Sequence, residues 1–150
     1  MKNLRTSILS LALVAAPCLL LAQGKATLTA LRSTPAQSAM YKLSVELENE
    51  LQADARVQIA FPEQFDLSAI KIAGSNDIKG GFRVETDRNT LTLKRTGLGA
   101  VIPAEQKVSI IFGPLKNPDN LADDHLVEIT IPRNTAASDK IREKINFNND

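Results

Sequence analysis

The chain has 150 residues, a formal net charge of +1, one Cys, one His, one Tyr and no Trp. The length admits one domain, or one domain with an appendage. The near-zero charge excludes a strongly basic nucleic-acid binder, and the Cys and His counts exclude a disulfide framework, a Cys-rich zinc site and a multi-histidine metal centre.

Residues 1–22 read as a secretory signal peptide. Lys2 and Arg5 give a basic start without an acid. An apolar stretch of about 14 residues, Ile8 to Leu21, follows, and Ala22 supplies a small residue before Gln23. The stretch is short of the ~20 residues of a membrane-spanning helix, and Pro17 interrupts it. A lipid anchor on Cys18 is disfavoured by the Pro just before it and the apolar residues after it. Cleavage after Ala22 removes Lys2, Arg5 and Cys18, leaving 16 basic residues against 17 acidic ones and no cysteine. No membrane span is expected after signal removal.

The remainder alternates with period 2, the pattern of strands with one buried face. Thr27–Leu31 opens the series, with Leu28 and Ala30 on one face. Met40–Glu48 puts Tyr41, Leu43, Val45 and Leu47 on one side and Lys42, Ser44, Glu46 and Glu48 on the other. Ala55–Phe61 repeats the pattern and ends at Pro62; Leu67–Ile72 is a weaker block. Phe82–Glu85 and Thr90–Lys94 flank Asp87-Arg88-Asn89 and read as a hairpin. Val108–Phe112 is expected to stop at Gly113-Pro114, and Leu126–Ile131 at Pro132. The polar tail, 133–150, has Ile141 and Ile145 at helical spacing and suggests a short helix over Asp139–Phe147 with a fraying end. Ala53–Phe61 and Ala104–Phe112 share an acid, a base and then Val-x-Ile-x-Phe, read as two core strands entering from similar turns.

These features predict an all-β fold: an antiparallel β-sandwich of about eight strands over 23–132, immunoglobulin-like or related Greek-key in topology. Its core is aliphatic, with Phe61, Phe65, Phe82 and Phe112. The strand Tyr41-Lys42-Leu43-Ser44-Val45-Glu46-Leu47, the strand end Ile59-Ala60-Phe61-Pro62-Glu63-Gln64-Phe65, and later Thr90-Leu91-Thr92-Leu93 and Ile110-Ile111-Phe112-Gly113-Pro114 carry a resemblance. Their order over residues 26–132 resembles β-sandwich, immunoglobulin-like modules of secreted and surface-layer-like bacterial proteins. The resemblance implies an extracellular, non-enzymatic module and transfers no catalytic residue.

Little in the chain carries chemistry. His125 follows Asp123 and Asp124, but no Gly-x-Ser-x-Gly elbow supplies a nucleophile, and a strand-start His beside a solvated loop is expected. Asp119, Asp123 and Asp124 form an acidic loop and are weak calcium ligand candidates, because calcium takes clustered carboxylate oxygens. Their order does not follow the alternation of an EF-hand loop. Without Trp, and with Tyr41 in phase with core residues, the chain lacks the exposed rings on which sugars stack. Basic residues interleave with acids, which excludes a nucleic-acid surface. Arg95, Leu98 and Val101 bound a glycine-bearing loop, Arg95 to Ile102, and are a weak contact-patch candidate; the expected role of its apolar residues is to fold back and close the end of the sandwich.

The expected function is that of an exported, non-enzymatic structural or interaction module without a cofactor. It would act in the periplasm, at the cell surface or outside the cell. Its partner would be another protein or a cell-surface macromolecule, not nucleic acid. A ligand-binding module for carbohydrate or calcium is the alternative, and a small secreted hydrolase a distant third.

Overall fold

The computed structural model describes residues 26–133 and 138–147. The signal peptide expected over 1–22, with Cys18, lies outside the described residues. Nine strands occur among the described residues: β1 (Ala26–Ala30), β2 (Ser38–Glu46), β3 (Arg56–Ala60), β4 (Ile72–Gly74), β5 (Phe82–Asp87), β6 (Thr90–Arg95), β7 (Lys107–Lys116), β8 (Leu126–Pro132) and β9 (Ser138–Asn146). Hydrogen bonding links them in the order β4-β7-β2-β1-β9-β8-β3-β6-β5. The sheet turns at β9, so that β4-β7-β2-β1 and β8-β3-β6-β5 form the two layers of a β-sandwich.

Alternation in the sequence becomes burial in the fold. Tyr41, Leu43 and Val45 of β2, Val57 and Ile59 of β3, Leu91 and Leu93 of β6, and Val127, Ile129 and Ile131 of β8 are buried. Phe61, Phe65 and Phe112 are buried as expected, whereas Phe82 on the outermost strand β5 is half-buried. The two Val-x-Ile-x-Phe segments lie in opposite layers. Phe61 and Phe112, their last residues, meet across the core with ring centroids 6.4 Å apart in an edge-to-face arrangement.

Four departures from the sequence reading have identifiable causes. The block 67–72 is divided: Leu67–Ala69 is a 3-10 turn capped by the Asp66 carboxylate on Ser68 N–H, and only Ile72–Gly74 pairs as a strand. β7 does not stop at Gly113-Pro114, which are joined by a cis peptide bond. Its register with β2 shifts between Ala39 and Tyr41, so Gly113 and Pro114 both stand opposite Met40. A bulge needs no ladder donor from Pro114. Gly113 suits that position because a Cβ there would lie 3.2 Å from Ala39 O.

The third departure concerns the tail, and the fourth the sheet's polarity. Ser138–Asn146 is a strand, not the short helix expected over 139–147. A separation of four residues keeps Ile141 and Ile145 on one face in either structure. Pairing decides between them: β9 runs antiparallel to β8 from Leu126↔Lys144 to Pro132↔Ser138. Arg142 then meets Glu128 at 3.7 Å, and Asp139 pairs with Arg133. The end of β9 also pairs with β1, Leu28↔Ile145 and Thr29↔Asn146, in parallel. The sheet is therefore mixed and not wholly antiparallel.

Ile145 is 2% exposed and sits where β1, β8 and β9 converge. Ile145→Ala should lower unfolding free energy by about 2–4 kcal/mol in urea titration. An unchanged midpoint would mean that the tail is not part of the folded core.

Candidate functional site

The segment Arg95–Ile102 leaves the end of β6 and crosses one pole of the sandwich. Its backbone is tied to residues 51–55 at both ends. Arg95 N–H donates to Ala55 O at 2.8 Å and Gly97 N–H to Ala53 O at 2.9 Å. Leu51 and Ile102 exchange both backbone bonds, at 2.8 and 3.0 Å. Between these anchors the tip projects into solvent: Leu98 is 85% exposed and Val101 41%.

Arg95 does not belong to the exposed patch. It is 1% exposed, although its position beside an apolar loop marked it as a contact residue. It occupies an inward position of β6, in phase with Leu91 and Leu93. The guanidinium donates from Nη1 to Leu51 O (2.9 Å) and Gln52 O (2.6 Å), and from Nη2 to Ala100 O (2.6 Å). A planar fork suits such a task, because it reaches carbonyls on two loops at once. Burial lowers the guanidinium pKa from its ordinary value, and Asp54 opposes that shift.

The same loop is pressed against residues 79–81. Thr96 Oγ1 donates to Gly80 O. Gly80 (φ +97°) approaches so closely that a Cβ would lie 2.5 Å from Gly99 N. A Cβ on Gly99 would meet Lys79 O and lie 2.9 Å from Arg95 Nη2. Both glycines are therefore required by close backbone approach.

His125 stands immediately before β8 beside the exposed 119–124 loop, as expected, and its ring is buried, 3% exposed. Nε2 lies 2.8 Å from Asn120 O, which can only accept, so the Nε2–H donates there. Nδ1 then accepts from Gln64 Nε2 at 3.2 Å. The ring packs edge-on against Phe65 and Phe147, at 5.5 and 5.7 Å between centroids. Both nitrogens are engaged in holding the 120–125 loop.

Asp119, Asp123 and Asp124 do not converge. Asp123 Oδ1 accepts from Asn120 Nδ2 at 2.7 Å, and Asp124 pairs with Lys144. Among the described residues, no three His, Cys, Asp or Glu side chains are grouped closely enough to hold a metal ion. Tyr41, the lone tyrosine, is fully buried; its hydroxyl donates to Asn117 Oδ1 at 2.7 Å, and burial pushes its pKa up. Asn117 in turn donates to Arg32 O (2.8 Å) and Thr34 O (2.9 Å), fixing the opposite pole. Asn117 and the buried role of Arg95 were not visible in the sequence. Only the in-phase position of Arg95 with Leu91 and Leu93 could have signalled burial.

The outer faces of the two layers are mostly polar, although Ile72 and Ile111 on the first and Leu126 on the second are exposed. On the first, Thr27, Ser44 and Ser109 stand in one register row. Asp77 accepts from Ser109 Oγ and N–H, both at 2.8 Å, and these bonds hold its carboxyl below the usual range. On the second, Gln58 lies between Thr92 and Thr130. Among the described residues, no helix is long and apolar enough to cross a membrane.

No protein-family model matches the chain, and no curated protein matches it. Solved structures with a similar fold include a GH20 exo-β-N-acetylglucosaminidase from Vibrio harveyi, at 14% identity and TM-score 0.45, over 82% of this chain. The chain spans 18% of the length of that glycosidase chain. A cohesin module from a Clostridium perfringens family 33 glycoside hydrolase is similar at 12% identity and TM-score 0.49, covering 82% of this chain and 96% of that one. A Nocardia farcinica protein with an immunoglobulin-like fold is similar at 17% identity and TM-score 0.43, covering 81% and 97%. The likeness is one of fold alone. The β-sandwich expected from the strand pattern is the fold of this chain.

Gly99→Ala should destabilise the protein by about 1–3 kcal/mol, since the new Cβ would overlap Lys79 O and the Arg95 fork cannot retreat without losing its bonds. Leu98→Ala should leave the thermal midpoint unchanged. Scanning calorimetry of the two variants checks the contrast.

Proposed function

We propose that this chain is an exported, non-enzymatic interaction module that binds a protein partner outside the cytoplasm, with the loop tip at Leu98 as a contact point. The observation that carries the reading is the combination of exposure and restraint at that tip. Isolated exposed apolar side chains are ordinary on a protein surface. Leu98 differs because the backbone around it is fixed by the anchors to residues 51–55 and by the Arg95 fork. A fixed backbone lowers the conformational freedom lost when the side chain it presents enters a partner's pocket, which favours Leu98 as an anchor.

The sequence supports export through the basic, apolar and small-residue pattern of residues 1–22. The structural engagement of both His125 ring nitrogens leaves that residue a poor general base. A protein partner suits this surface better than a sugar, since the tyrosine ring is buried in the core and no Trp is available.

A photo-crosslinking residue placed at position 98, in the organism that makes the protein, should give one discrete adduct. The same residue at position 63, on the exposed Glu63, should give none. The recovered chain should begin at Gln23 and fractionate outside the cytoplasm. Equal adducts at both positions, or an unprocessed cytoplasmic chain, would contradict the proposal.

A further inference from the structure

The outer face of β8-β3-β6-β5 carries two sets of cations that are treated differently. On the β8–β9 side the charges are balanced. Lys140 and Arg142 both reach Glu128, at 2.8 and 3.7 Å, and Lys144 pairs with Asp124. On the β3-β6-β5 side they are not. Arg56 stands directly opposite Lys94, and Lys94 directly opposite Arg83. All three lie on the solvent side, because Val57, Leu93 and the half-buried Val84 point inward.

Directly opposite side chains have Cβ atoms about 4.5–5.5 Å apart, and like charges so placed destabilise a sheet. A carboxylate in the row would remove that cost. None is there: Glu85 stands opposite Thr92, and Asp87 opposite Thr90, one and two steps along the face. Among the described residues, Arg56, Lys94 and Arg83 join no ion pair. The fold thus keeps three repelling cations in line while it pairs their neighbours a few strands away.

We propose that the Arg56–Lys94–Arg83 row is the docking site for a carboxylate-rich segment of the protein partner; this rests on the protein-binding reading above. Charge complementarity selects an acidic occupant. Two guanidinium forks favour carboxylates that can be gripped by paired N–H donors. The adjoining row, Thr92, Gln58 and Thr130, is neutral and polar, and suits the rim of a protein contact. An acidic glycan is the less favoured occupant, since no aromatic ring lies on this face to stack a sugar.

The test uses a fluorescently labelled oligo-glutamate peptide and two variants of equal net charge. Arg56→Gln/Arg83→Gln/Lys94→Gln should bind the peptide about tenfold or more weakly than the parent. Lys140→Gln/Arg142→Gln/Lys144→Gln should bind it within about twofold of the parent, because those cations already have partners. The first variant should also melt no lower than the parent, since it relieves repulsion. Several results would overturn the proposal: no binding by the parent, equal losses in both variants, or a lower melting point for the first. So would tighter binding of a sulfated polysaccharide through the same three residues. An adduct at position 98 without peptide binding removes the basic row and leaves the module reading intact. Peptide binding without an adduct at 98 removes the loop tip as the contact point.

Discussion

A single buried guanidinium organises the pole of the sandwich on which the functional reading rests. Arg95 ends β6 pointing inward, where an aliphatic residue would continue the pattern. It reaches the carbonyls of Leu51, Gln52 and Ala100 and so adds a side-chain clamp to the backbone bonds that join the two loops. Hydrogen bonds from a charged donor contribute more than neutral ones, about 1.5–3 kcal/mol each. A bare guanidinium in that position would be strongly unfavourable, so the two loops and the side chain depend on one another. The close approach of Gly80 and Gly99 follows from the same arrangement: the loop has to lie low for Ala100 O to reach Nη2.

The rest of the fold depends on closure at the other end of the chain. β9 is the hinge between the layers, antiparallel to β8 and parallel to β1. Its outward residues Lys140, Arg142 and Lys144 alternate with Asp139, Ile141, Glu143 and Ile145. Glu143 is half-buried, and desolvation raises its pKa. The strand is thus held by pairing and by Ile145 more than by its own composition.

The sequence made most of the sandwich legible because period-2 alternation is a local signal. Tyr41, Leu43 and Val45, or Val127, Ile129 and Ile131, announce their buried face without knowledge of the partner strand. The departures at β7 and β9 are questions of pairing. Ile141 and Ile145 satisfy both a helix and a strand until β8 offers its edge. Pro114 reads as a stop until the shift opposite Met40 excuses its missing N–H. Arg95 reads as surface because arginine is seldom buried, and two of the three carbonyls that receive it lie 43 and 44 residues earlier in the chain.

The candidate sites divide in the same way. Leu98 and Val101 are exposed, whereas apolar residues in such a loop more often fold back to close the end of a sandwich. The acidic loop at 119–124 was visible, but its use in local hydrogen bonds and in the Lys144 pair was not. Arg56, Arg83 and Lys94 each read as an ordinary outward cation, and only register sets them in line.

The central claim is that the Arg95 fork fixes the loop bearing Leu98. Native-state hydrogen exchange of Arg95→Lys against the parent tests it most directly, since lysine keeps the charge and loses the fork. The amides of Leu51, Gly97 and Ile102 should exchange about tenfold or more faster in the variant, while those of Ile59 and Ile129 keep their protection. Unchanged protection at Gly97 and Ile102 would contradict the claim.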